Sequence, residues 1–252
     1  MKKFRIISLV PSLTELLVDL GLGDSLVGVT KFCIHPKGLK DSVAVVGGTK
    51  NPKHELILQL KPTHIIANRE ENNKEDVEAL RKVAGLNIHV SDIKNLSDLE
   101  ALIITYGLLF SIENKAKEIQ ASVKQLASQF EKEFAYKTEI SVAYFIWKDP
   151  WMSVGNDTFI NYMLELCKFK NITSNQQRYP EVDFTQISNE VVFLSSEPYP
   201  FQEKHVDFFS HKNSPCFLVD GAFFSWYGSR ILHSFEYFRK LRKEVEKAVL
   251  EA

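Results

Sequence analysis

The feature that most constrains the fold is a pattern of strand, polar loop, helix start and strand that occurs twice. The first copy contains the apolar runs Thr63–Ala67 and Asn87–Val90, and the second contains Glu190–Leu194 and Cys216–Val219. A helix-rich segment precedes each copy. Two similar βαβ halves on one chain predict two similar lobes, and a cleft between lobes is the commonest place for a small-molecule site.

Strands and helices alternate along both halves of the chain. The predicted strands are Phe4–Val10, Leu26–Val29, Thr63–Ala67, Asn87–Val90, Thr138–Trp147, Glu190–Leu194 and Cys216–Val219. The predicted helices begin near Ser12, Pro52, Glu75, Asn156, Glu203 and Leu232. This alternation predicts parallel sheets in an α/β arrangement, and ligands usually bind at the carboxyl ends of such strands.

Two local patterns predict where the first helices begin. Ser12 and Glu15 have the spacing of a capping box, with Ser12 or Thr14 as the N-cap. Pro52 is expected near the first position of its helix, because proline tolerates that position well.

The middle of the chain differs from both halves. No Gly or Pro occurs from Leu108 to Asp149, and apolar residues recur at spacings of three and four from Ile112 to Phe134. The spacing predicts one helix, with Ser111 as its N-cap and a length of roughly 34 Å at 1.5 Å per residue. Because this helix lies between the repeats, we expect an N-terminal lobe over 1–110, a connecting helix over 111–134 and a C-terminal lobe over 135–252.

Composition excludes several classes of protein. The chain has 252 residues, a net charge of -1 and no large basic block, so a nucleic-acid surface is not expected. The sequence has no apolar run of about 18 residues, and Phe4–Val10 is too short for a signal-peptide core. The protein is therefore expected to be cytoplasmic if the chain is complete, and periplasmic or membrane-associated if a leader was removed.

Enzyme motifs and a disulfide framework are not found in the sequence. It contains no G-x-S-x-G, Walker A, H-E-x-x-H or G-x-G-x-x-G pattern. Its three cysteines are widely spaced and odd in number, so a complete disulfide framework is not expected. We predict a protein that is not an enzyme and has no intrinsic cofactor or metal.

Six segments follow one another along the chain: Arg5–Glu15 (RIISLVPSLTE), Leu26–Thr30 (LVGVT), Leu60–Ala67 (LKPTHIIA), Trp147 with Pro150-Trp151, Gly155–Ile160 (GNDTFI) and Gly221–Arg230 (GAFFSWYGSR). In this order they resemble the substrate-binding proteins of ABC importers for cobalamin, iron-siderophores or haem, the helical-backbone metal receptors. The resemblance covers nearly the whole chain and is closest to the cobalamin-binding branch. It implies two α/β lobes with parallel sheets joined by one long rigid helix, the class III periplasmic-binding-protein fold.

The resemblance also implies the ligand class, the partner and the position of the site. The ligand would be a metal chelate, such as a cobalamin-like corrinoid, an iron-siderophore or haem, held between the lobes and passed to an ABC importer permease. Two departures from the cobalamin binders concern tryptophan. Those proteins often have Trp at the position of Asn68, and the loop Gly47–Asn51 of this chain also lacks a Trp. Flat surface on which a corrin ring could rest is therefore lost at both places. The alternative function is a cytoplasmic ligand sensor or an enzyme subunit that kept the fold without transport.

The candidate ligand-binding residues lie mainly in strand-end loops. They are Pro11, Ser12, Phe32, Cys33, His35, Thr49, Asn68, Arg69, Trp147, Trp151, Phe224, Trp226 and Tyr227. We predict that at least two of the five aromatic residues from Trp147 onward line a pocket, the others being core.

Some candidates have competing interpretations. Cys33 and His35 are either ordinary loop residues, ligand contacts or metal ligands. Structural zinc needs four ligands, and the sequence shows no second pair of ligands to join these two. Arg69 either pairs with a ligand carboxylate or amide, or belongs to a solvated turn. Glu75 and Glu203 begin equivalent helices of the repeat, and each either caps its helix or docks on arginines of the transporter, as the resemblance implies.

Overall fold

The strands form two parallel sheets, one from each half of the chain. The structure is a computed structural model, and it describes residues 4–183, 185, 187–209 and 214–251. Its internal contacts divide the chain into a first unit, Met1–Val123 with Tyr227–Arg230, and a second unit, Lys124–Trp226 with Ile231–Ala252. The predicted α/β class with two parallel sheets is confirmed.

The first unit contains one sheet in the order β3-β2-β1-β4-β5, with every pair parallel. Its strands are β1 (Ile6–Ser8), β2 (Leu26–Val29), β3 (Ala44–Val45), β4 (His64–Asn68) and β5 (Asn87–Ser91). Its helices are α1 (Pro11–Asp19), α2 (Leu39–Ser42), α3 (His54–Gln59), α4 (Lys74–Arg81) and α5 (Leu96–Phe110). All five residues of the inner strand β4 are buried, as expected for a parallel strand covered on both faces.

The second unit contains a sheet in the order β7-β6-β8-β9, again with every pair parallel. Its strands are β6 (Ile140–Phe145), β7 (Phe169–Asn171), β8 (Val191–Ser195) and β9 (Cys216–Val219). Its helices are α7 (Phe159–Leu166), α8 (Glu203–Val206), α9 (Gly221–Ser225) and α10 (Ile231–Glu251). The central strand β8 is fully buried, like β4.

The repeat seen in the sequence is a repeat of topology. β2-β1-β4-β5 and β7-β6-β8-β9 have the same order and direction, and β3 is an additional edge strand of the first sheet. In each unit the first strand leads into a helix, α1 or α7, before the chain returns to the neighbouring strand, β2 or β7. Equivalent strand-end loops of the two units can therefore be compared one with one.

The predicted central helix is present as α6 (Glu113–Phe134), and the division between the units falls inside it, between Val123 and Lys124. The three-part division at 110, 111–134 and 135 stays a prediction. The predicted N-cap was wrong: Ser111 has φ 57° and is the left-handed C-cap of α5. The sequence analysis missed α5 because hydrophobic residues lie on several sides of this helix, which hides the helical period.

Two predicted helix starts were also wrong. α1 begins at Pro11 with Val10 as N-cap, because proline suits the first turn, and Ser12 lies inside the helix. The hydroxyl of Thr14 donates to Ser8 Oγ at 2.8 Å and the Val10 carbonyl at 2.9 Å, so it does not cap the helix. α3 begins at His54, two residues after Pro52, whose backbone forms a bridge with Gly47.

Candidate functional site

The carboxyl ends of the first sheet are joined by an asparagine network formed by Asn68 and Asn72. Asn68 is 1% exposed, and its Nδ2 donates to the carbonyl of Ser91 at 2.9 Å and to Ser91 Oγ at 3.1 Å. Its Oδ1 accepts from the Glu70 amide at 2.7 Å. At this position, where cobalamin binders often have Trp, Asn68 shapes the loop after β4 and connects it to the end of β5.

Asn72 extends the network to two more loops. Its Oδ1 accepts from the Asn68 amide at 2.9 Å, and its Nδ2 donates to the carbonyls of Leu9 at 3.2 Å and Thr49 at 3.0 Å. One buried side chain thus connects the ends of β1 and β4 with the segment after β3. Buried backbone carbonyls need such partners, so the network makes these loops one packed layer. The sequence analysis missed Asn72 because nothing in its neighbours marks it as buried.

Above this layer the first unit presents a mixed surface. Phe32 is 49% exposed, with the Lys31 ammonium 4.9 Å from its ring centre. A Cβ at Gly48 would lie 3.4 Å from the Phe32 ring, so the ring rests close to that glycine. Ile34 is exposed too, and the exposed Arg69 pairs with Asp92 at 2.8 Å. An apolar contact and a cation therefore remain available in the same region of the sheet edge.

Other candidates of the first unit are buried. Cys33 Sγ lies 3.1 Å from Thr14 Oγ1 and 3.3 Å from Thr30 Oγ1, and burial raises the pKa of the thiol. Pro11, Ser12 and Thr49 are buried as well, and His35 is half-buried. As placed, the Cys33 sulfur contacts the protein, so we leave it out of the proposed contact set.

The second unit carries an aromatic cluster at its strand ends, formed by Trp147, Tyr199, Phe201, His205 and Phe208. Trp147 follows β6 and is 41% exposed, and its ring meets the edge of Tyr199 at 5.6 Å between centroids. Tyr199 packs on Phe201 at 4.7 Å and on His205 at 5.6 Å. His205 lies nearly parallel to the exposed Phe208 at 6.4 Å. The cluster offers aromatic faces to solvent at both of its ends.

The structure separates Trp147 from Trp151, which belong to the same loop. Trp147 and Met152 pair as a short antiparallel bridge, which turns the loop back on itself. Trp151 is 7% exposed and packs in the core with Phe145, Phe201 and Phe209. The exposed aromatic surface at this loop therefore comes from Trp147.

The remaining aromatic candidates are largely buried. Phe224 is fully buried beside Tyr144 and Phe238. Trp226 is 8% exposed, and its Nε1 donates to Glu197 Oε1 at 2.8 Å. Tyr227 is buried within the first unit. The prediction that at least two of the five aromatics line a pocket stays a prediction, with Trp147 the most accessible of them.

A cavity of about 350 Å³ opens at the ends of β8 and β9. Its lining residues are Leu194, Ser196, Phe201, Leu218, Val219 and Asp220. Phe201 belongs to both this cavity and the aromatic cluster. The carboxyl edge of the second sheet thus combines apolar side chains with the polar groups of Ser196 and Asp220.

The two candidate docking acids are exposed. Glu75 lies in the first turn of α4, and Glu203 is the first residue of α8, which a Gln202–His205 capping box closes. The capping box gives side-chain acceptors to the backbone amides of Gln202 and His205. The docking role of Glu75 and Glu203 stays a prediction.

The chemistry of the site favours binding. Within the described ranges, no group of three or more His, Cys, Asp and Glu side chains is arranged to hold a metal ion. Among those residues no helix is long and apolar enough to cross a membrane. Exposed aromatic rings, a cavity of mixed lining and scattered cations at strand ends suit an extended ligand with an apolar ring and polar substituents.

The chain is similar in sequence to bacterial binding proteins. The chain is 30% identical to the vitamin B12-binding protein of Vibrio campbellii over 76% of its own length and 70% of that protein. It is 32% identical to the ABC transporter substrate-binding lipoprotein YvrC of Bacillus subtilis over 68% of its length, but that match spans only 56% of the lipoprotein.

Solved structures share the fold. The periplasmic vitamin B12-binding protein BtuF of Vibrio cholerae matches with a TM-score of 0.82 and 23% identity, over 96% of this chain and 98% of BtuF. The periplasmic haem-binding protein BhuT, solved with two haems, matches with a TM-score of 0.83 and 16% identity, over 97% of this chain and 98% of BhuT. The family model described as periplasmic binding protein matches residues 6–196 of the 252. The chain therefore belongs to the periplasmic binding protein family.

Proposed function

We propose that the protein binds a metal chelate without transforming it and delivers the chelate to the permease of an ABC importer. A cobalamin-like corrinoid is the first candidate, and haem or a ferric siderophore are the alternatives. The observation that carries the proposal is the exposed Trp147 face, backed by Tyr199 at the carboxyl end of the second sheet. A flat ring system stacks on such a surface and excludes water from both faces.

The first unit carries candidate contacts of its own. Phe32 and Ile34 offer apolar contact, and Lys31 and Arg69 offer cations for acidic or amide groups on the ligand. The asparagine network holds the loops beside these residues in place before the ligand arrives. Such preorganisation reduces the entropy that binding must offset.

The proposed partner is a permease, as the substrate-binding description of the Bacillus relative suggests. We propose that the exposed carboxylates Glu75 and Glu203 meet basic residues on that permease. Opposite charges at two separated points would guide orientation and speed encounter more than they raise affinity. The protein would then work outside the cytoplasm, in the periplasm or at a membrane surface.

Titration with defined chelates tests the function. Purified protein is titrated with cyanocobalamin, dicyanocobinamide, haemin and ferrichrome, while ligand absorbance and tryptophan fluorescence are recorded. We expect one of them to bind with a Kd of about 1 μM or lower, equivalent to about -8 kcal/mol, and to quench fluorescence. If all four leave absorbance and fluorescence unchanged at about 100 μM, chelate binding is excluded as the function.

A further inference from the structure

The loop after β8 is fastened to the end of α9 by one carboxylate. Glu197 Oε1 accepts hydrogen bonds from Ser225 Oγ at 2.5 Å and from Trp226 Nε1 at 2.8 Å. The Glu197 carbonyl also accepts from Ser195 Oγ at 2.7 Å. Hydrogen bonds to an ionised acceptor are roughly twice as strong as those between neutral groups. Glu197 therefore holds two segments that are almost thirty residues apart in sequence.

A glycine makes this contact close. A Cβ added to Gly221 would lie 2.3 Å from Ser195 Oγ and 2.7 Å from Glu197 Cγ, distances that side-chain carbons do not adopt. The Gly221 amide donates to Ser196 Oγ at 3.0 Å. The first turn of α9 therefore packs directly on the loop after β8. Glu197 of this loop contacts the other end of α9 through its hydrogen bonds with Ser225 and Trp226.

The loop that Glu197 fixes carries the ring that packs against the exposed Trp147. Tyr199 follows Glu197 by two residues, and its amide donates to the Ile146 carbonyl at 3.2 Å, one residue before Trp147. The Tyr199 ring then meets Trp147 at 5.6 Å. A shift of the Glu197 backbone would move Tyr199 and change the edge-to-face contact that supports the Trp147 ring.

We propose that Glu197 is a positioning residue for ligand binding: through Ser225 and Trp226 it holds the Tyr199 loop so that the edge-to-face contact with Tyr199 keeps the exposed Trp147 ring in place for stacking. The inference rests on the proposed function, since the position of Trp147 matters only if a flat chelate stacks on it. Glu197 itself does not contact the ligand. A Gln side chain at position 197 would keep the shape and one acceptor oxygen but would lose the negative charge that accepts from Ser225 and Trp226.

The test compares two isosteric substitutions at opposite ends of β8. Glu197→Gln follows the strand, and the control Glu190→Gln precedes it, where the Glu190 carboxylate accepts from the Ser188 amide at 2.8 Å. Kd values for cyanocobalamin and haemin, the circular dichroism of the bound chromophore and the midpoint of thermal unfolding are measured for each. We expect Glu197→Gln to weaken binding roughly tenfold and to alter the chromophore spectrum, while Glu190→Gln changes neither.

A double-mutant cycle separates positioning from simple loss of stability. If Glu197 acts through the aromatic pair, Glu197→Gln adds little to the loss already caused by Trp147→Ala, so the two effects are strongly non-additive. Ser225→Ala removes one donor without changing charge, and it replaces Glu197→Gln in the cycle if that variant does not fold. Additive effects, or an unchanged Kd and spectrum in the variants, would overturn the positioning role. If the wild-type protein binds neither probe, the proposed function fails for both and the positioning role fails with it.

Discussion

The two sheets end in the same topology but in different chemistry. In the first unit the strand-end loops are joined by the buried amides of Asn68 and Asn72. In the second unit the corresponding loops pack through aromatic rings, from Trp147 to Phe201 by way of Tyr199. Hydrogen-bonded amides fix backbone geometry, whereas exposed rings offer surface to a ligand. We call the first unit the polar half, in which hydrogen bonds fix the loops, and the second unit the aromatic half, in which rings are available for ligand contact.

The largest effect is expected from breaking the polar half. Asn72→Ala leaves the Leu9 and Thr49 carbonyls and the Asn68 amide without this partner, and should reduce the free energy of unfolding by about 2–4 kcal/mol. Urea unfolding followed by far-ultraviolet circular dichroism measures it. The matched control is the neighbouring Asn73→Ala, whose half-buried amide donates to the Lys50 carbonyl at 2.7 Å and should cost about 1 kcal/mol. Equal losses in the two variants would contradict a special role for the buried amide.

The next effect tests which half holds the ligand. Trp147→Ala should weaken chelate binding by about 1–3 kcal/mol, because it removes the exposed face of the aromatic cluster, and should change stability little. Phe32→Ala is the matched substitution in the first unit, and its loss should stay below about 1 kcal/mol. Isothermal titration calorimetry measures both losses, with the chelate that binds in the titration of the four chelates. A greater loss for Phe32→Ala would reverse the comparison.

The docking acids test whether both halves meet the permease. Glu75→Lys combined with Glu203→Lys should slow ligand delivery about tenfold, because charge reversal removes steering toward a basic surface. Uptake by reconstituted transporter vesicles measures delivery, and titration in solution should give an unchanged Kd. Glu78→Lys, on the same helix as Glu75, is the control for α4. Normal delivery by the double variant would leave helix capping as the role of these acids.

The smallest effect concerns acid pH and the first unit. Burial lowers the pKa of His64, which packs among the rings of Phe4 and Phe110, and that of His89, which meets Tyr106 at 5.2 Å. The unfolded chain then binds more protons than the folded one below about pH 6.5, so stability should fall as the pH drops through that value.

Urea unfolding at pH 7.5, 6.5 and 5.5 measures this dependence. His64→Leu combined with His89→Leu removes both groups and should flatten the curve between pH 6.5 and 5.5. All three tryptophans belong to the second unit, so their fluorescence follows that unit while circular dichroism follows both. A free energy of unfolding that does not change with pH in the wild type would show that the two histidines protonate equally well when folded.

Much of the fold could be predicted because its determinants are local. Apolar runs such as His64–Asn68 and Val191–Ser195 are short, bounded by polar loops and repeated in order. α6 has a clear apolar stripe and no helix breaker. α5 was missed for the opposite reason, because its tertiary neighbours bury most of it and its sequence is apolar on several faces. Helix starts also failed where proline and backbone geometry outweighed the capping residues, as at Pro11 and Ser111.

The sequence by itself determined the repeat, the parallel α/β class and the order of the strand-end loops, since hydrophobic period and turn residues act over a few neighbours. Only the tertiary structure decided which side chains in those loops are accessible. Trp147 and Trp151 have nearly the same sequence surroundings, yet one is exposed and the other packs against Phe145 and Phe201. Likewise Asn68 and Glu197 acquire their roles from Ser91 and Trp226, which lie more than twenty residues away. Burial and hydrogen-bond partners depend on such distant residues, and local patterns carry no record of them.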